Sequence, residues 1–291
     1  MKDYLVKALA FDDCVRIYAV SSTEALNTIG KRLGYYPSAL AALGRVMNVT
    51  VMMGSMLKLE ETITVKVDGD GPIGLIMADA DAHGNVRAYC ENPHCHFEYV
   101  DNNKLNVKAT VGNTGFISVI KDLKLKEPFV GSIPIINGEL GEDFAYYFSV
   151  SEQVPSAVAL GVLVNEENVA VSSGGFIVQL LPNTPDLVID LLEARISELP
   201  PISKMLADGM TPTDIVKEIA GDSVKILENV PVNFKCKCSK ERFERGLISL
   251  GHEELSDIIN TEGHAHTICH FCGDEYDFTK EELESLLEKT K

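Results

Sequence analysis

Seven cysteines occur in the chain, and four of them stand as two close pairs near its C-terminus. Cys236-Lys237-Cys238 and Cys269-His270-Phe271-Cys272 read C-x-C, then 30 residues (239–268), then C-x-x-C. Two close thiol pairs are the donor set of a tetrahedral zinc or iron site, because each pair supplies one edge of the tetrahedron. The C-x-C hook is tighter than the hooks of ordinary zinc ribbons. Thiols one residue apart can also be oxidised to a disulfide, so the quartet reads as a structural staple, a redox sensor, or both. One zinc per chain, held by Cys236, Cys238, Cys269 and Cys272, is the expected occupant, with an iron–sulfur centre or free thiols as the alternatives. Four cysteines complete the tetrahedron, which leaves His264, His266 and His270 as exposed polar neighbours.

Other chemistry-bearing patterns carry less. Cys269–Cys272 lacks the βαβ setting of a thioredoxin-type pair. Gly69-Asp70-Gly71-Pro72-Ile73-Gly74 matches G-x-G-x-x-G, but strand-like sequence follows where a dinucleotide site needs a helix, so a hairpin turn is expected. His94-Cys95-His96, near Cys90, would alternate faces on a strand, which argues against a second metal. Cys14 reads as a small buried hydrophobe. There is no nucleophile elbow, Walker loop or H-E-x-x-H pattern, so no catalytic residue and no organic cofactor are expected, and the protein is read as a non-enzyme.

The elements that must position the quartet fall into three stretches. Residues 1–181 read as an α+β domain. Ser21-Ser22-Thr23-Glu24 has the form of a capping box opening a helix that ends near Gly34. Pro37 then precedes a long apolar helix, Ser38–Leu57. Expected strands are Thr62–Val67, Ile73–Ala78, Val86–Cys90, Leu105–Val111, Phe116–Ile120 and Phe144–Val150. A hairpin of Ala157–Val164 and Val169–Leu181 follows. Strands and helices are segregated rather than alternating, which favours α+β over a doubly wound sheet.

Residues 182–230 read as a helical linker. Thr184 and Pro185 would open one helix, running to about Glu198, and Thr211-Pro212-Thr213-Asp214 another ending at Gly221. Such short helices must dock on something to persist. Residues 231–291 form the four-cysteine module, closed by a helix capped by Thr279 and Glu282. Its few large apolar residues (Phe234, Phe243, Leu247, Leu250, Phe271, Phe278) make a metal staple the expected source of its stability.

Charge narrows the partners. The formal net charge is −17 over 291 residues, and the last 61 residues carry eight Lys/Arg against thirteen Asp/Glu, a net of −5. Phosphate contact needs basic surface, so neither nucleic acid nor an anionic membrane is an expected partner. The N-terminus shows no signal-peptide pattern, and the apolar runs are too short to span a bilayer. An odd cysteine count without a leader favours reduced thiols and a cytoplasmic location.

With these residues in view, the chain resembles the 33 kDa heat-shock chaperone family over essentially its whole length. The resemblance rests on the two cysteine pairs at this separation, on Cys238-Ser239-Lys240-Glu241-Arg242 and on His270-Phe271-Cys272. Ser151-Glu152-Gln153-Val154-Pro155-Ser156 and Gly69-Asp70-Gly71-Pro72 in the body extend it. It implies an ATP-independent, redox-regulated holdase that is inactive when reduced and zinc-bound. It further implies that oxidation forms Cys236–Cys238 and Cys269–Cys272 disulfides, releases zinc and unfolds the linker. The oxidised protein would then form a homodimer and hold unfolding client proteins. A constitutive zinc-ribbon protein that binds a macromolecule, or a thiol oxidoreductase, are the competing readings.

Overall fold

The computed structural model describes residues 2–100 and 104–290. They form two compact units, residues 1–235 and 236–291. In chain order the body begins with β1 (Tyr4–Ala10), β2 (Val15–Ser21), α1 (Thr23–Leu33) and α2 (Pro37–Gly54). It continues through β3 (Thr62–Gly69), β4 (Leu75–Asp81), β5 (Asn85–Cys90), α3 (Val107–Val111), β6 (Gly115–Asp122) and β7 (Phe129–Pro134). Then come α4 (Gly141–Val150), β8 (Ser156–Val164), β9 (Ala170–Leu180), α5 (Asp186–Glu198), α6 (Ile202–Ala207), α7 (Pro212–Ala220), β10 (Lys225–Pro231) and β11 (Asn233–Phe234). The module holds α8 (Lys240–Ser249), α9 (His252–Thr261), β12 (Ala265–Ile268), β13 (Glu275–Phe278) and α10 (Lys280–Leu287).

Two sheets enclose one helix. The five-stranded sheet runs β10-β1-β2-β9-β8, and the six-stranded sheet runs β11-β5-β4-β3-β6-β7. Between them lies α2, buried at every position except Pro37 and Arg45. A helix that is apolar all round belongs inside a protein, and the expected long buried helix is this one. The opposite face of the five-stranded sheet is covered by α5, α6 and α7. There Val6, Ala8, Ile17, Phe176 and Val178 meet Leu192, Ile202, Met205, Ile215 and Ile219. The α+β class expected from segregated elements is the observed one.

Several local readings are corrected. The box at Ser21 does not form: α1 starts after Ser22, which makes no side-chain cap. Instead the buried Asp3 carboxylate accepts the Ala25 amide at 2.8 Å and the Ser21 hydroxyl at 3.3 Å. A long-range cap of this kind leaves no sequence-local trace. Leu105–Val111 is not a strand; Asn106 caps the Ala109 amide at 2.8 Å and starts α3. Phe144–Val150 is the helix α4, whose buried Phe144, Tyr147 and Phe148 recur at helical spacing. Asp143 fixes its entry by accepting the amides of Ile136, Asn137 and Leu140 at 2.7, 3.0 and 2.8 Å. Thr184 does not cap α5, because its hydroxyl bonds the carbonyls of Cys14 and Leu181.

The stretch 182–230 is helical only to residue 220, apart from one 3-10 turn at Gly221–Ser223. Its last residues form β10, paired antiparallel with β1. That strand is mostly exposed and is held by the backbone ladder and by Lys7–Glu228 at 3.0 Å, so apolar periodicity could not reveal it. Residues 231–235 also lie in the body, because β11 pairs in parallel with β5. The cap at Thr211 forms as expected, with Asp214 completing the box.

Candidate metal centre

Each hook is built by the element beside it. Cys269-His270-Phe271-Cys272 lies in the turn between β12 and β13, which pair from Ala265↔Phe278 to Ile268↔Glu275. Within that turn the Cys269 carbonyl accepts the amides of Cys272 at 3.3 Å and Gly273 at 2.7 Å, and the Cys269 amide donates to the Asp274 carbonyl at 2.9 Å. Gly273 has φ +74°, a left-handed conformation that glycine adopts without strain. Cys236 and Cys238 lie just before α8, whose N-cap Ser239 accepts the Arg242 amide. Lys240 ties this region to α10 through Glu282 at 2.6 Å, and its ammonium lies 5.1 Å from the centre of the Phe278 ring.

These elements bring the four sulfurs together, all within 4.8 Å of one another. Cys236 Sγ is 3.6 Å from Cys269 Sγ, and Cys238 Sγ is 3.3 Å from Cys272 Sγ. Tetrahedral zinc with bonds of about 2.3 Å needs its sulfurs about 3.8 Å apart, so the donor set fits the ion in type, number and spacing. Cys269 and Cys272 are buried, while Cys236 and Cys238 are half-buried. Burial pushes the Cys238 and Cys272 thiols up. Burial would also raise Cys236, but hydrogen bonds from the Cys238 amide and the neighbouring thiols hold it below the usual value. Four sulfurs so placed form a donor set that a cation would bind as thiolates, with release of any protons they carry.

Two neighbours of the quartet were missed by the sequence reading. The Tyr276 hydroxyl donates to Cys238 Sγ at 3.2 Å, and Asp274 Oδ2 lies 3.8 Å from the same sulfur. Both sit within four residues after the second hook, which was the available signal. Two of the histidines have partners of their own: His266 Nδ1 meets Asp277 at 2.7 Å, and His264 Nδ1 lies 3.0 Å from the Glu262 carbonyl. Around the centre, seven apolar side chains are buried among the module's described residues: Leu247, Leu255, Ile259, Ala265, Phe278, Leu283 and Leu286.

Among the described residues, no other cluster has metal-ligand geometry. Residues 91–96 are irregular rather than a strand; His94 packs on Tyr36, and Cys90 and Cys95 are buried. Gly69–Gly74 is a turn, as expected. A side chain at Gly71 would come within 2.3 Å of the Val111 carbonyl carbon, and Asp70 accepts the Asn113 and Thr114 amides, so the glycines serve close backbone approach. No helix among the described residues is long and apolar enough to cross a membrane.

Comparison with known proteins agrees with this organisation. Curated relatives from Bacillus pumilus and Bacillus subtilis, each called 33 kDa chaperonin, are 53% and 51% identical over 287 and 288 residues, and each match covers 99% of both chains. The crystal structure of the 33 kDa chaperonin (heat shock protein 33 homolog) from Thermotoga maritima superposes with a TM-score of 0.92 at 33% identity, again over 99% of both chains. The class is therefore that of a chaperone. A family model described as Hsp33 protein matches residues 3–279, and the chain belongs to the Hsp33 family.

Proposed function

We propose that this protein is a redox-regulated holdase whose switch is the Cys236/Cys238/Cys269/Cys272 centre. The observation that carries the reading is four convergent sulfurs in a unit with seven buried apolar residues. Bound zinc would supply a redox-inert crosslink between the hooks, worth about 10–16 kcal/mol in small metal-folded peptides. The hooks themselves do the rest. When Cys236 pairs with Cys238 and Cys269 with Cys272, each bond takes two electrons from two sulfurs. One peroxide is reduced to two waters for each disulfide formed. The oxidised sulfurs are then lost as thiolate ligands.

The shortest sulfur pairs run between hooks, but the edges of a tetrahedral donor set are alike, so these distances select no pairing. Loop length favours pairing within each hook. The Cys269–Cys272 turn is already closed by its amide bonds, and the C-x-C ring is the more strained, so Cys269–Cys272 should form first. Disulfides closing such short loops offer only about 2 kcal/mol each, so oxidation exchanges a strong staple for two weak ones.

The 182–230 segment is proposed as the element that responds. Its first helix, α5, is the least well seated: Leu187 is 80% exposed, and a cavity of ≈ 210 Å³ opens among Ala157, Val178, Leu180, Ile189, Leu192 and Ile196. Incomplete packing favours local opening, which would uncover apolar side chains of α5 to α7 and of the sheet beneath. Unfolding proteins are the expected clients, the oxidised form a homodimer, and a reducing cytoplasm the resting compartment. Zinc release and suppression of citrate synthase aggregation should rise together on oxidation. Suppression that is equally strong in the reduced, zinc-loaded protein would refute the switch.

A further inference from the structure

The four sulfurs are alike in type but not in surroundings. Cys236 accepts a hydrogen bond from the Cys238 amide, and Cys272 one from the Asp274 amide, so both draw on the backbone beside them. Cys238 instead accepts the Tyr276 hydroxyl at 3.2 Å. The same sulfur has Asp274 Oδ2 at 3.8 Å, a charge of like sign once Cys238 is a thiolate. A donated proton therefore has more to offset here than it would beside a neutral neighbour.

Tyr276 is held where it can do this. On β13 it pairs with Thr267, whose hydroxyl donates to the Tyr276 carbonyl at 3.1 Å. Its ring lies on that of Phe243 in α8, with centres 4.9 Å apart and planes at 34°. Because α8 begins at Lys240, that contact joins the hairpin of the second hook to the helix that follows the first. Ring packing accounts for an aromatic side chain at this position. The hydroxyl has a separate use, at Cys238.

We propose that Tyr276 is a positioning residue that shields Cys238 from oxidation and so directs peroxide to the Cys269/Cys272 hook first. The proposal rests on the redox-switch reading above and adds a cause, besides ring strain, for the order of the two disulfides. Peroxide oxidises a hook in two steps. One thiolate attacks the O–O bond, which forms an S–O bond and releases hydroxide. The partner thiolate then displaces a second hydroxide from that sulfenic sulfur and closes the S–S bond. Two sulfurs lose two electrons, and the two hydroxides take up two protons as water. Whichever sulfur of the first hook reacts first, Cys238 supplies a lone pair in one of the two steps. A hydrogen bond to that lone pair lowers its reactivity, so the first hook closes slowly by either route. Hydrogen bonds to metal ligands from outside the donor set tune such centres in general.

The test uses full-length, zinc-loaded protein treated with one peroxide per chain, so that singly bridged molecules dominate. Peptide mapping reads the ratio of Cys236–Cys238 to Cys269–Cys272 among them. Tyr276→Phe keeps the ring on Phe243, removes the hydroxyl and should raise that ratio about tenfold. Phe243→Leu loosens the ring contact, keeps the hydroxyl and should leave the ratio close to wild type. Cobalt(II) in place of zinc gives a reading without oxidant. Loss of the hydrogen bond makes the thiolate a stronger donor, so the sulfur-to-cobalt charge-transfer band should shift to lower energy in Tyr276→Phe. An unchanged ratio, an unmoved band, or the same rise in Phe243→Leu overturns the role of Tyr276 and leaves the switch standing. Wild-type protein that forms neither disulfide under peroxide refutes the switch reading, and the ordering with it.

Discussion

The body and the module solve the same problem by different means. The body surrounds α2 with two sheets and fills the space with Leu5, Leu26, Leu40, Met47, Phe144 and Tyr147, all essentially inaccessible. The module covers one hairpin with three short helices and seven buried apolar side chains. Burial scales poorly in so small a unit. The module's core is thin beside the body's, so in the proposed switch its stability is what thiol chemistry would govern directly, and the α5–α7 segment of the body would respond to it.

The sharpest way to break the comparison is to remove one sulfur. Cys269→Ser should abolish stoichiometric zinc, read by elemental analysis, and unfold 236–291 while the hydrogen exchange of β3, β4 and β6 stays native. A Cys90/Cys95 double substitution that removed the metal instead would refute the site. A smaller effect is expected in the body at the α5 contact. Leu192→Ala should destabilise the docking of α5 by about 2–4 kcal/mol. Val188 and Leu192 made polar together should give holdase activity without oxidant while zinc stays bound. If linker amides remain equally protected in reduced and oxidised protein as client binding rises, the segment is not the switch.

Asn48 tests the body's dependence on packing more gently. Buried on α2, it accepts the Ser22 hydroxyl at 2.5 Å and donates to Ser173 Oγ and the Gly174 carbonyl, both at 3.1 Å. Asn48→Ala should cost about 1–3 kcal/mol by leaving those groups unpaired. Thermal unfolding should report this with zinc affinity unchanged. The smallest effect concerns His266, exposed on β12. The hydrogen bond that it donates to the Asp277 carboxylate raises its pKa above the usual 6.5. That contribution is present at pH below the unfolded value and fades as pH rises through the folded one. An NMR titration should place His266 above 6.5, and Asp277→Asn should return it toward 6.5.

The convergence of the four cysteines was legible because close thiol pairs are a matter of residue type and spacing, which a chain displays openly. The caps at Thr211 and Thr279 and the β8–β9 hairpin were legible for the same reason, since the partners lie within a few residues. Elements that depend on distant partners were not. Asp3 capping α1, β10 on β1, and β7 at the edge of its sheet carry no local signature. The runs Leu105–Val111 and Phe144–Val150 are short and apolar, and periodicity over so few residues cannot separate strand from helix. Leu255, Ile259, Leu283 and Leu286 supply more of the module's core than Leu250, because α9 and α10 turn narrow apolar faces toward the hairpin, and Phe234 packs on the body instead.

The pairing of β1 with β10 sets a timetable for synthesis. Residues 4–9 take partners at 225–231, so the first strand made is completed by one of the last in the body. A nascent chain therefore cannot finish its five-stranded sheet until the α5–α7 segment has left the ribosome. Contacts of such high sequence separation close slowly. During that interval the face that those helices will cover is open to solvent, and the growing chain passes through a stage in which it needs the kind of protection it later gives to others.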